Sequence, residues 1–220
     1  PIIIDTDPGI DDAAAISLAL SHPNIEVKMI STVNGNVNVD KTTNNALKLV
    51  HFFDSKVPVY KGAARPLISD PVDAAEVHGE SGMDGYDFES FENHYIPQTN
   101  SIEAIKDEIM KSSYPITIVA IGPLTNIALL LATYPEVKSN IKQIVIMGGS
   151  SGRGNVTPLA EFNIYCDPEA ANIVFNAQIP VVMIGLDLAR KAMFSHDFIK
   201  EIKQVNQTGN MLYHLLQHYR

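Results

Sequence analysis

Six short runs of apolar, mostly β-branched residues recur along this chain: PIIID at 1–5, EVKMISTV at 26–33, VPVY at 57–60, ITIVAIG at 116–122, QIVIMGG at 143–149 and IPVVMIG at 179–185. Each is nearly continuous in its apolar residues, the pattern of strands buried on both faces. Helical stretches separate most of them: DDAAAISLALSH (11–22), VDKTTNNALKLVHFF (39–53), SIEAIKDEIMKS (101–112), LTNIALLLATY (124–134) and DPEAANIVFNA (167–177). Strands alternating with helices require βαβ crossovers, so the expected fold class is α/β, an open and mostly parallel sheet flanked by helices. A length of 220 residues is expected to form a single domain over 1–220. In such sheets ligands gather outside the carboxyl ends of the strands, which directs attention to the loops that follow them.

The first of those loops is the most unusual. Between Asp5 and Asp12, DTDPGIDD places four carboxylates, Asp5, Asp7, Asp11 and Asp12. The strand should end near Thr6, Pro8-Gly9 should turn the chain, and Asp11-Asp12 should open a helix, where an acid caps free amides and is favoured by the helix dipole. Capping accounts for one or two of the four. Unit charges about 4 Å apart repel by ~4 kcal/mol at an effective dielectric near 20, so the remainder must protonate, separate or share a cation. With no histidine or cysteine in the cluster, all-oxygen ligation suits a hard ion, Ca²⁺ or Mg²⁺, and irregular spacing favours Ca²⁺.

Other strand ends carry weaker signals. Asn34-Gly35-Asn36 reads first as a good turn, though its amides could meet a neutral ligand. IGPLTNIA (121–128) ends one strand at a tight turn where carbonyls could reach a metal. In MGGSSGRGNVTPLAEFNIYCDPEAA (147–171), Asp167-Pro168-Glu169 reads as N-cap, first-turn proline and N-terminal acid. For Glu161 and Asn163, ligand binding and loop hydrogen bonding stand level. The stretch 61–100 is rich in Gly, Pro and acids without clear periodicity, and such long loops tend to be functional; it contains His78 in HGESGMDG. Cys166 lacks a nearby histidine, which argues against a thiol nucleophile. No GxSxG or GxxxxGK[ST] occurs.

Composition narrows the class. A net charge of −9 and a pI near 5.1 argue against a nucleic-acid partner. No apolar run approaches the ~20 residues of a membrane helix, so no membrane association is expected. The opening PIII resembles no signal peptide and a single cysteine suits a reducing compartment, giving a cytoplasmic expectation. Residue 1 is proline, and Arg220 falls inside GNMLYHLLQHYR, which reads as a helix in mid-course, so the chain is expected to be incomplete.

Taken together, DTDPGIDDA, HGESGM, GPLTNIA, MGG, the Asn155 region and AEFNIYCDPEAA resemble, in order, the inosine-uridine preferring nucleoside hydrolase family, from Ile2 to about Leu188. The resemblance implies a Rossmann-like nucleoside hydrolase fold and hydrolysis of the N-glycosidic bond of ribonucleosides to ribose and free base. It implies a calcium ion that binds the nucleophilic water and the ribose 2′- and 3′-hydroxyls. Asp7 would be calcium ligand and general base, Asp12 a bidentate ligand, and Ile121 a ligand through its carbonyl where the family often has threonine. Asp11 would accept a ribose hydroxyl, Asn36 would contact ribose and metal-bound water, Asp5 would support from behind, and His78 would lie near the nucleobase. Met147, Asn155, Glu161, Phe162 and Asn163 would form the ribose pocket, with Asn155 and Glu161 at the 5′-hydroxyl and Asn163 at the diol. Family members continue beyond position 220 into a segment whose histidine-aspartate pair supplies, in many members, the acid near the leaving base and the last calcium ligand, and they are commonly homodimers or homotetramers. Two rivals remain open at this point. Asp5-Thr6-Asp7 also fits a haloacid-dehalogenase-type phosphatase, and a chain without that later segment could be a non-catalytic nucleoside- or ribose-binding protein or an inactive truncated paralogue.

Overall fold

A computed structural model describes residues 1–90 and 97–219. The six apolar runs each hold a strand: β1 Ile2–Thr6, β2 Val27–Thr32, β3 Val59–Lys61, β4 Ile116–Ala120, β5 Ile141–Met147 and β6 Val181–Ile184. They form one sheet in the order β3-β2-β1-β4-β5-β6, with every neighbouring pair parallel. The helices are α1 Ile10–Ser21, α2 Val39–Phe52, α3 Ala75–His78, α4 Ser101–Lys111, α5 Thr125–Thr133, α6 Phe162–Cys166, α7 Pro168–Phe175, α8 Leu186–Ala189, α9 His196–Ile202 and α10 Gln207–His218.

Successive strand residues point to opposite faces, and the core divides accordingly. Ile3 and Met29 pack on one side with Ile105, Ile109, Ile127 and Val174 from α4, α5 and α7. Ile4 and Ile30 pack on the other with Ile10, Ile16, Leu49, Met211 and Leu215 from α1, α2 and α10. This two-sided burial is why the strand sequences are continuous in apolar residues and not alternating. Strand order reverses between β1 and β4, since β2 and β3 lie to one side and β5 and β6 to the other; the crevice at that reversal is where such sheets bind ligands.

The segment 61–100 is mostly irregular, as its sequence suggests, apart from the single turn of α3; residues 91–96 lie outside the described residues. α10 stops at His218, with Tyr219 already extended and its N–H bonded to the Leu215 carbonyl; Arg220 is outside the described residues.

Asp167 acts as the cap its sequence position implies and does more. It is fully buried, accepts from the Ala170 N–H at 3.0 Å, and receives the Thr125 hydroxyl at 2.6 Å and the Leu67 N–H at 2.9 Å, joining α7, α5 and the long loop. Asp167→Ala should therefore lose a cap and strand two further donors, costing about 2–4 kcal/mol in urea denaturation. An unchanged midpoint would contradict that role.

Candidate active site

β1 lies at the centre of the sheet, between β2 and β4, so the chain leaving it emerges in the most enclosed place at the carboxyl edge. Asp5 and Asp7 are fully buried there and Asp12 almost so, whereas the Asp11 side chain is 58% exposed. Neighbouring amides hold the buried three. Asp7 Oδ2 accepts the Asn36 N–H at 2.7 Å, and the Asn36 side-chain amide donates to the Asp7 carbonyl at 3.0 Å and to Asp12 Oδ2 at 3.3 Å. Asp12 Oδ1 receives the Thr6 hydroxyl at 2.7 Å and its Oδ2 receives the Gly9 N–H at 2.9 Å, which closes the first turn of α1. Two oxygens have no partner among the described residues, Asp5 Oδ2 and Asp7 Oδ1. Asn34-Gly35-Asn36 is thus more than a turn: a Cβ at Gly35 would collide with the Asp7 carboxylate, and only glycine lets this loop approach so closely.

Charge and burial act together on these acids. Burial pushes Asp5 up to about 7 against the pull of its Asn126 and Ser31 hydrogen bonds. Burial, with Asp11 nearby, takes Asp12 to about 7. Asp7 is driven well above the usual carboxylate range by burial first and by Asp12 and Asp11 after it.

His78 closes one side. It ends α3, and the left-handed Gly79 at φ 84° turns the chain away behind it. Its Nδ1 accepts the Ile10 N–H at 3.1 Å, which places the ring proton on Nε2; burial lowers its pKa, against the opposing pull of Asp11, 4.0 Å away. The resulting neutral imidazole donates from Nε2. The Tyr219 ring packs against it, with centroids 5.3 Å apart, and burial with Asp11 and Asp12 raises the tyrosine pKa. Tyr219 was invisible as a site residue in the sequence, because only folding brings the end of α10 to α3.

The opposite wall joins Ile121, Met147, Asn155, Glu161, Phe162 and Asn163. The Asn163 side-chain amide donates to the carbonyls of Ile121 and Met147, each at 3.0 Å. Glu161 caps α6, taking the N–H groups of Asn163 at 3.0 Å, Gly149 at 2.8 Å and Ile164 at 3.1 Å; burial still raises its pKa, with a contribution from Asp11. Asn155 Oδ1 accepts the Phe162 N–H at 2.9 Å. A Cβ on Gly122 would meet Asp7 Oδ1 at 2.5 Å, so the β4 turn abuts the carboxylates. Cys166 is buried behind this wall, and burial with Asp7, Glu161 and Asp167 holds it as a thiol.

Among the described residues no three His, Cys, Asp or Glu side chains converge closely enough to hold a metal alone. A cation here would rest on Asp7 and Asp12 with carbonyl, amide or water oxygens besides. The unpartnered Asp7 Oδ1 and the purely oxygen donor set fit a hard divalent ion.

An open parallel sheet with acids buried at its switch point defines an α/β protein built around a carboxylate centre. Comparison with known proteins makes that specific. Residues 2–220 match the inosine-uridine preferring nucleoside hydrolase family. Two curated relatives are the non-specific ribonucleoside hydrolases RihC of Salmonella enteritidis PT4, 56% identical over all of this chain and 71% of the relative, and of Klebsiella pneumoniae strain 342, 54% identical over all of this chain and 72% of the relative. Two solved structures superpose closely. A plant nucleoside hydrolase, PpNRh1, has a TM-score of 0.93 at 34% identity, covering 99% of this chain and 70% of its own; a purine-preferring ribonucleoside hydrolase from Gardnerella vaginalis has 0.93 at 33%, covering 99% and 71%. The chain belongs to the inosine-uridine preferring nucleoside hydrolase family, enzymes that act on N-glycosyl bonds. Membership implies a metal-dependent enzyme, and it displaces the phosphatase reading of Asp5-Thr6-Asp7.

The raised acids give a stability signature. Between about pH 4 and 7 the folded protein retains protons that the unfolded chain has released, so metal-free stability falls as pH rises through that window. In chelator, the Tm should drop between pH 5 and pH 8, and drop less in Asp12→Asn; identical slopes for both proteins would contradict the assignment.

Proposed function

We propose that this protein hydrolyses the N-glycosidic bond of ribonucleosides to ribose and free base, with Asp7 as general base and calcium as its cofactor. The observation that carries the reading is Asp7 Oδ1, a buried carboxylate oxygen without a partner among the described residues, beside three further aspartates. Asp7, Asp12 and the Ile121 carbonyl would hold the ion. That carbonyl already accepts from Asn163 but has a second lone pair. Calcium, when bound, supplies a polarised, oriented water and an anchor for the ribose diol.

Asn36 holds the Asp7 carboxylate in place through Oδ2, and Asp7 is the base that takes a proton from the attacking water. Asp11, the exposed member, accepts a ribose hydroxyl, and Asn36 contacts the same sugar. Asn163 meets the diol through its amide oxygen, because its nitrogen is engaged by the Ile121 and Met147 carbonyls. Asn155 and Glu161 receive the 5′-hydroxyl, with Met147 and Phe162 covering the sugar. As the base departs, positive charge grows on the ribosyl centre, and the anionic oxygens gathered there stabilise it. His78 offers a hydrogen bond from Nε2 to the nucleobase and so orients it at the ribosyl bond. Similarity to the non-specific ribonucleoside hydrolases supports a broad choice of base. No helix among the described residues is long and apolar enough to cross a membrane. Action in the cytoplasm, as a homodimer or homotetramer, completes the reading.

Incubation with inosine, uridine and p-nitrophenyl phosphate should give reducing sugar and free base from both nucleosides and no phosphate. Asp7→Ala should lower kcat by about 10²–10⁴-fold, the usual range for loss of a general base. Nucleoside binding without any ribose release, or phosphate release alone, would overturn the proposal.

A further inference from the structure

Asn126, in the first turn of α5, is fully buried and belongs to none of the substrate or metal contacts above. Its side chain joins four strand ends. The amide oxygen accepts the Ala63 N–H at 2.8 Å, in the loop after β3, which fixes the orientation of the amide. The nitrogen therefore faces three acceptors: Asp5 Oδ1 at 2.8 Å on β1, Ser31 Oγ at 3.0 Å and the Thr32 carbonyl at 3.0 Å on β2. Asn126 itself follows β4. Packing around it is tight, since a Cβ on Gly62 would stand 2.5 Å from its amide.

We propose that Asn126 is a positioning residue for the carboxylate centre, acting through Asp5 to fix where β1 releases Asp7. The inference rests on the calcium reading above. The last two side chains of β1 are pinned in opposite senses: Asp5 to α5 by Asn126, and Thr6 to Asp12 on α1. The Asp5 carbonyl also accepts the Ile121 N–H at 2.8 Å, so the residue that Asn126 grips is the one that registers β1 against the Ile121 turn. Moving Asp5 would shift Asp7 and the Ile121 carbonyl together. Asp5 is itself no ligand in this reading, but outer hydrogen bonds that orient a metal site commonly change metal affinity by about 10–100-fold.

Calcium titration of the folded full chain, with Tm measured in parallel, tests this through Asn126→Asp, Asp5→Asn and the double variant. Asn126→Asp keeps the shape and the Ala63 bond but sets a carboxylate against Asp5, and it should bind calcium at least about tenfold more weakly than the unaltered protein. The double variant recreates an amide-carboxylate pair between positions 5 and 126 and should recover most of that loss. It leaves Ser31 and Thr32 without their donor, so a merely structural amide would not be rescued. Unchanged affinity in Asn126→Asp, or a double variant no better than it, overturns the inference alone. If Asn126→Asp does not fold, Asn126→Ser takes its place: a tenfold loss supports the role, and unaltered affinity overturns it. An unaltered protein that binds no calcium overturns the calcium reading and the inference with it.

Discussion

Three aspartates withdrawn from water within one strand-to-helix connection set the terms for the rest of the structure. Removing an ion from water costs several kcal/mol even after relaxation, and like charges at this spacing add to it. Against a folding free energy of about 5–15 kcal/mol such a cluster cannot stand uncompensated. The chain answers with donors: Asn36 on Asp7 and Asp12, Thr6 and Gly9 on Asp12, Asn126 on Asp5. One oxygen of Asp7 and one of Asp5 are left over. The Asp7 oxygen is the one that the proposed calcium ion would take up.

The sheet makes that concentration feasible. With β1 central and the order reversing beside it, loops from β1, β2, β4 and β5 open onto one crevice. The first supplies the acids, the second Asn36, the third the Ile121 turn, and the fourth the wall of Met147, Glu161 and Asn163. Glycine at 35 and 122 lets two of these loops touch Asp7 with backbone instead of side chain. His78 arrives from the long irregular segment, its tautomer set by an amide of α1. The walls are thus hydrogen-bonded to the same short stretch that carries the acids, or packed directly against it.

Much of this was legible in the sequence because its causes are local. Burial on both faces writes itself into the central strands as continuous apolar runs, while β6 is equally apolar with Val182 and Met183 exposed, and caps such as Asp167 announce the helices they begin. The acid cluster was readable because charge density needs no tertiary information. What escaped depended on distant partners. α6 begins at Glu161, a residue that gives no ordinary capping signal, and so passed for loop. The even choice for Glu161 and Asn163 between ligand and loop roles has a physical basis: both make several loop hydrogen bonds while lining the crevice. Tyr219 and Asn126 reach the site across 141 and 121 residues of chain from His78 and Asp5 respectively, separations that no local pattern encodes.

The central proposal is that the buried aspartates form a cation site whose raised acids hold protons until the cation displaces them. Calorimetric calcium titration at pH 7, repeated in buffers of different ionisation enthalpy, counts the protons exchanged on binding. Because burial lifts Asp12 to about 7 and Asp7 well above the usual range, binding should expel on the order of one proton from the site. Calcium binding with no proton release, or no binding at all, would contradict the account.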